Sequence, residues 1–453
     1  MRAVIMAGGK GTRLRELTRD EIPKPMAAIY GKPILEWQID CLRRNMIRDI
    51  CIVTGYLGEK IREYFGDGSR FDVSISYFHE NSPLGTCGAL AHLEEILADP
   101  YFLLVFGDTI FDIDIGRMES FHRSRKAKAT LFVHPNSHPF DSDLVMMDAQ
   151  GRVTEFDSKA NVRDYWYDNM VNAGLYILTG EICAKIPKNS KTDLEKDVLM
   201  QNCGASSGIY GYVSSEYIKD AGTADRLHQV EKDIRNGVVS AKNLSRKQRC
   251  IFIDRDGTIT GGKGLVHRTE DLVLEETAAQ AIRLINRSPY LAVVATNQPS
   301  VARGLCEIAD IEEIHRKMKT LLGRDGAYID ALEYCPHHPD KGYPEENAVF
   351  KIQCSCRKPG TGMIEKAAKG MNIDLSRSWM IGDTTRDIQT AKNAGMRSAL
   401  VRTGEAGKDG VYTAEPDLVC DDLLEAVERI LGEELQNGLP EQSRFINCEG
   451  LAD

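Results

Sequence analysis

The chain lacks any uninterrupted apolar run of about 18 residues, the least that a membrane-crossing helix needs. Met1 leads directly into an apolar strand pattern, Ala3–Met6, so no signal segment and no membrane partner are expected. Positive charge is in deficit: 57 Lys and Arg stand against 67 Asp and Glu, leaving a net charge of −10. That balance excludes a broad nucleic-acid surface, whose footprint is basic. Phosphorylated small molecules must then be met by local cations. Internal repeats and low-complexity tracts are missing. The 12 cysteines are scattered apart from one cluster, a usage that suits reduced thiols in a cytoplasm. At 453 residues, 42% hydrophobic and 27% charged, the chain is globular and too long for one ordinary domain. Whether it self-associates into a homo-oligomer stays open.

What is present begins at the first strand. Glycines 8, 9 and 11 end the apolar run, letting the backbone turn sharply and present bare N–H groups to an anion. Lys10, Arg13 and Lys24 add cations near the same loop, and a triphosphate suits this chemistry best. The spacing matches neither G-x-x-x-x-G-K-[ST] nor G-x-G-x-x-G. Apolar segments then alternate at helical and strand spacing through Phe102–Phe106, which predicts a mainly parallel sheet with ligands at the carboxyl ends of its strands. Gly85 and Thr86 lie between a strand and a helix, where glycine admits a flat ligand. Asp108 and Asp220 each end a strand pattern, and two such carboxylates can hold Mg²⁺.

The loop and the following Pro23-Lys24-Pro25 resemble the signature of sugar-1-phosphate nucleotidyltransferases, along which residues 1–236 can be laid. The resemblance implies a Rossmann-like domain in which Gly8, Gly9, Gly11 and Arg13 hold the triphosphate and Lys24 the α-phosphate region. It gives Gly85 and Thr86 to the nucleobase, Asp108 and Asp220 to Mg²⁺, and Lys159 and Asn172 to the sugar phosphate. Ser158 and Ala160 depart from the usual Glu and Pro, removing an acceptor for sugar hydroxyls.

A polar, basic stretch, residues 237–248, is expected to link a second domain spanning 249–434, with 435–453 as a polar tail. The apolar strand Cys250–Ile253 delivers Asp254 and Asp256 to its end, two apart and so facing one way. One can act as nucleophile and the other shuttle a proton. Thr296 and Asp383 end two further strand patterns, and Arg357 and Lys358 lie between those patterns. This ordered series resembles the haloacid dehalogenase superfamily of phosphohydrolases, a Rossmannoid α/β fold. Carried over by position, Asp254 is the nucleophile, Asp256 the general acid/base, and Thr296 and Lys358 stabilise the phosphoryl group. Asp254, Asp256 and Asp383 are expected around Mg²⁺, and Asn297, Arg303 and Arg357 around the substrate.

Cys335, His337, Cys354 and Cys356 form the one dense Cys/His cluster, a complete donor set for a structural Zn²⁺, with His338 as an alternative to His337. With this loop the second half looks like the heptose-1,7-bisphosphate phosphatases, and histidinol phosphatases share most of the motifs. The two resemblances together imply a bifunctional α/β enzyme. It would remove the C7 phosphate of a heptose bisphosphate, then transfer a nucleotide, GMP from GTP on pathway logic, to heptose 1-phosphate. The rival readings are a mannose- or glucose-type nucleotidyltransferase with a different phosphatase, and a silent sugar-phosphate sensor. Intact acids at 108, 220, 254, 256 and 383 argue against the sensor.

Overall fold

The computed structural model describes residues 1–9, 18–19, 21–262 and 264–438, with side chains to residue 433. The chain divides into two compact units, Met1–Lys247 and Gln248 onward. Among the described residues no helix is long and apolar enough to cross a membrane.

In the first unit the strand Ala3–Ala7 is central. It pairs in parallel with Asp49–Thr54 and Phe102–Phe106, and Asp49–Thr54 pairs in parallel with Ser74–His79. The helix Ile34–Arg44 buries Ile34, Leu35, Ile39 and Leu42, the positions its 3.6-residue period puts on one face. Beyond Phe102–Phe106 the expected parallel order breaks. Val171–Leu178 runs antiparallel to that strand and to Ala129–His134, so the nine-stranded sheet is mixed. A separate two-stranded ribbon pairs Thr109–Asp112 antiparallel with Tyr217–Asp220, placing Asp220 opposite Thr109. This register brings Asp108 and Asp220 together although 112 residues separate them (220 − 108).

The stretch expected as a linker is instead packed on the first unit. Val238 and Val239 of the short helix Val238–Ala241 are buried in a cluster with Ile110, Tyr217 and Val230. Asn243 Nδ2 donates to Asp112 at 2.7 Å, and Leu244 N donates to Glu216 at 2.9 Å. Two apolar side chains and two satisfied polar groups outweigh the polar composition around them.

The second unit holds a six-stranded, fully parallel sheet in the order Ala331–Cys335, Tyr290–Asn297, Arg249–Ile253, Trp379–Gly382, Arg397–Val401, Leu418–Cys420. Along its third strand Ile251 and Ile253 enter one core while Cys250 and Phe252 enter the other, as period-two alternation requires of a sheet covered on both faces. Asp254, Thr296 and Asp383 therefore emerge at one carboxyl edge. The helix Leu423–Gly438 runs into the expected tail, and residues 439–453 lie outside the described residues.

Candidate active sites

In the first unit a cleft of about 330 Å³ is lined by Gly8, Gly9, Lys24, Glu80, Gly85, Thr86 and Asp108, among others. Six of these seven were expected from sequence; Gly11 and Arg13 lie outside the described residues. Gly85 has φ +85°, and a Cβ there would collide with the carbonyl of Thr192, so the turn requires glycine. Thr86 N donates to Thr192 O at 3.0 Å, and Thr86 Oγ1 accepts from Leu194 N at 2.8 Å, which fastens the loop to the segment 192–194.

Lys24 sits between prolines in a single 3-10 turn and is 8% exposed. Its ammonium is paired with Asp108 and lies 3.8 Å from Asp220 Oδ1. Asp220 also pairs with Arg226 at 2.5 Å, yet its Oδ1 is buried with no hydrogen-bond partner among the described residues. An orphaned buried carboxylate oxygen beside a second carboxylate fits a hard divalent cation. Asn172 and Lys159 do not line the cleft. Asn172 is engaged with Tyr176 and Glu195, and Lys159 is exposed, its Nζ 3.8 Å from Asp141.

In the second unit Asp254, Asp383 and Asp387 converge, their oxygens within 4.8 Å of one another. Lys358 Nζ lies 2.9 Å from Asp254 and 2.5 Å from Asp387, and is almost fully buried. Burial pushes the carboxyl of Asp254 up, with Lys358 opposing and Asp387 and Asp256 adding to the rise. Asp383 is pushed up to about 8 by burial and by Asp254 and Asp387. Asp383 Oδ1 is buried with no hydrogen-bond partner among the described residues, while Oδ2 accepts from Glu405 N at 2.7 Å. Three crowded carboxylates with one open oxygen fit Mg²⁺.

Two of the expected site residues are engaged with protein partners in this structure. Asp256 does not join the carboxylate group: both its oxygens are taken by Arg255, at 2.8 and 2.9 Å, and Gln298 adds a bond at 2.8 Å. Asp387 takes that place. Asn297 spends both ends of its amide on the backbone of Lys358, at 3.1 and 2.9 Å, so it positions the lysine. Thr296 is buried, its Oγ1 accepting from Gln298 at 2.9 Å. Arg303 lies 3.3 Å from His338 Nε2 and over the Tyr343 ring, and its Nε has no partner among the described residues. Burial and the neighbouring Arg386 and Arg303 depress Arg357. Crowded, desolvated guanidinium groups of this kind suit a phosphate.

Cys335, His337, Cys354 and Cys356 meet as a set, with sulfur–sulfur distances of 3.1, 3.2 and 3.5 Å and His337 Nδ1 3.3 Å from Cys356 Sγ. His338 turns instead to Arg303. Three thiols and an imidazole this close fit a tetrahedral ion.

Sequence reasoning missed Glu80, Asp387 as a candidate ligand, and Glu195. Glu80 follows a strand, a signal that was available; its Oε1 is buried and unpartnered among the described residues, and burial raises its carboxyl. Nothing in the linear pattern marks Glu195.

Residues 2–237 match the family described as nucleotidyl transferase, and residues 355–426 match the HAD-hydrolase-like family. Over 186 residues the chain is 36% identical to the D-glycero-β-D-manno-heptose-1,7-bisphosphate 7-phosphatase of Haemophilus ducreyi, covering 40% of this chain and 97% of that protein. Over 236 residues it is 32% identical to the D-glycero-α-D-manno-heptose 1-phosphate guanylyltransferase of Aneurinibacillus thermoaerophilus, covering 52% and 99%. Among solved structures, a D,D-heptose 1,7-bisphosphate phosphatase from B. bronchiseptica complexed with magnesium and phosphate is 33% identical over 41% of this chain and 99% of that one, with a TM-score of 0.36.

Proposed function

From a chain that belongs to the nucleotidyl transferase family over residues 2–237 and carries a haloacid-dehalogenase-type phosphatase behind it, we propose a two-step route to an activated heptose. The second unit hydrolyses the C7 phosphate of D-glycero-D-manno-heptose 1,7-bisphosphate. The first unit then transfers GMP from GTP to the heptose 1-phosphate, releasing pyrophosphate. The observation that carries this reading is the pairing itself: half by half, the chain resembles a heptose-1,7-bisphosphate 7-phosphatase and a heptose 1-phosphate guanylyltransferase, consecutive kinds of step on a heptose phosphate although the two are named for different anomers. Incubation with the bisphosphate, Mg²⁺ and each nucleoside triphosphate, followed by product identification, tests it. Absence of GDP-heptose with every acceptor anomer would refute it.

In the phosphatase unit, an Asp254 oxygen attacks phosphorus while Lys358 and Thr296 receive the phosphoryl charge. Asp256 is the general acid and base of this reading: once an oxygen is released from Arg255 or Gln298, it would protonate the leaving sugar oxygen and later take a proton from the hydrolytic water. Held by Asp254, Asp383 and Asp387, Mg²⁺ would neutralise the phosphate as it approaches these acids. Burial and the neighbouring Asp254 and Asp387 push the ion-free Asp383 up to about 8, which favours its protonated form at pH 7. Ion binding therefore releases about one proton, and apparent Mg²⁺ affinity should rise with pH between 6 and 8, by at most about tenfold per unit. Calorimetry in two buffers of different ionisation heat measures the proton release; a pH-independent affinity would contradict it.

The Cys/His cluster holds a structural zinc in this reading. Cys354→Ser should lose the ion and cut phosphate release by about tenfold or more, because binding energy in such loops is largely folding energy. Nucleotidyl transfer should stay within about twofold. Metal analysis of protein purified without chelator checks this; finding no stoichiometric zinc would refute it.

Anomeric configuration adds a constraint. Neither hydrolysis at C7 nor attack by the C1 phosphate breaks the C1–O1 bond, so the configuration passes unchanged through both steps. The phosphatase relative is named for the β anomer and the transferase relative for the α anomer. For the steps to run in series the phosphatase must accept the α-1,7-bisphosphate. We expect its kcat/KM for that anomer to equal or exceed that for the β anomer; a strong β preference would break the series.

A further inference from the structure

Glu195 is a carboxylate that the expected site does not include. It lies in the six-residue π-helical stretch Leu194–Leu199, a rare winding that recurs at functional sites. Its Oε1 accepts from Asn172 Nδ2 at 2.8 Å and from the hydroxyl of the fully buried Tyr176 at 2.9 Å. No described residue donates to its other oxygen. On one side the preceding Leu194 is tied to Thr86 of the nucleotide cleft, and the ring of Tyr176 meets edge-on that of Phe106, which lines the cleft. On the other side Asp143 acts on it electrostatically, and Asp143 accepts from the backbone of Lys159 at 2.7 Å. Glu195 thus stands between the nucleotide cleft and the segment assigned to the sugar phosphate.

We infer that the open oxygen of Glu195 accepts a hydroxyl of the sugar acceptor, and that Asn172 and Tyr176 hold the carboxylate in place for it. The inference rests on the proposed transferase reading and supplies the carboxylate acceptor that Ser158 lacks. A fixed carboxylate accepts only, so it favours an acceptor sugar with a hydroxyl at the matching carbon and discriminates against one lacking it, because the carboxylate is then left unpaired.

The test is kcat/KM for heptose, mannose and glucose 1-phosphates and their monodeoxy analogues at C2, C3 and C4, with GTP. In the wild-type protein, loss of one hydroxyl should cost about tenfold or more. In Glu195→Gln that penalty should shrink to under about threefold, with KM for the sugar phosphate raised and KM for GTP unchanged. Tyr176→Phe, which loosens the carboxylate without touching sugar, should weaken the discrimination less. Should the glutamine variant not fold, Glu195→Asp keeps the charge and shortens the reach, and the same change in pattern is expected. An unchanged deoxy pattern in a folded variant, or an equal loss on all analogues and on GTP, would overturn the inference. If only hexose 1-phosphates are used, the heptose reading fails while the Glu195 comparison still stands or falls by itself.

Discussion

Asp254→Asn protein should release phosphate at less than about 10⁻⁴ of the wild-type rate, because an amide oxygen cannot serve as the phosphoryl acceptor and loss of a nucleophile typically costs that much or more. It should nevertheless fold. Breaking a buried ion pair usually costs about 3–5 kcal/mol, since the partner is left uncompensated. Here Lys358 keeps Asp387 at 2.5 Å, so its charge stays paired. Burial and two neighbouring acids already disfavour the ionised form of Asp254, so a neutral isostere relieves repulsion. The midpoint of thermal unfolding in Mg²⁺-free buffer should therefore be unchanged or higher. Nucleotidyl transfer to a supplied heptose 1-phosphate should remain within about twofold, because none of its expected groups lies in residues 248–438. Phosphate and pyrophosphate release measured on one preparation decide the matter. Loss of both activities in a folded variant would mean that the two sites are not independent.

How far the site could be read from sequence depended on whether a residue announces itself locally. Gly8, Gly9, Gly85 and Thr86 do, because a sharp turn after an apolar run has few chemical solutions. Asp254 and Asp383 do as well, since a carboxylate closing a buried strand is conspicuous. Asp387 was visible four residues beyond Asp383 but also reads as a helix cap, and it is one: its Oδ2 accepts from Thr384 N at 3.2 Å while Oδ1 takes Lys358. One side chain serves both purposes, and linear spacing reports only the first. Asn297 was placed on substrate by the family resemblance alone; its two bonds to the Lys358 backbone depend on a contact 61 residues away. The mixed sheet escaped for a related reason. Strand patterns carry no direction, and only the pairing of Val171–Leu178 with Phe102–Phe106 fixes it. Long-range pairing, unlike turns or a buried face, leaves no mark on spacing.

Lys24→Ala should lower nucleotidyl transfer by about 10³, in line with removing one preorganised charge from a site where two anions must meet. Phosphate release from the bisphosphate should not change. The ammonium is now paired with Asp108 and 3.8 Å from Asp220, the two carboxylates expected to take Mg²⁺. A divalent cation and a lysine at the same oxygens would repel, so a bound ion would weaken the hold of these carboxylates on Lys24. Two roles then follow, and they separate experimentally. If Lys24 only neutralised the acids, Lys24→Ala would bind Mg²⁺ more tightly and saturating Mg²⁺ would restore the rate. If it meets the α-phosphate during transfer, kcat stays low at every Mg²⁺ concentration even though the ion binds at least as well as before. We expect the second result, since an ion held by Asp108 and Asp220 would leave the preorganised charge of Lys24 unreplaced. Titration of Mg²⁺ against pyrophosphate release, with Lys24→Arg as the variant that keeps the charge, measures it. Full recovery of Lys24→Ala at high Mg²⁺ would reduce Lys24 to a place-holder for the ion.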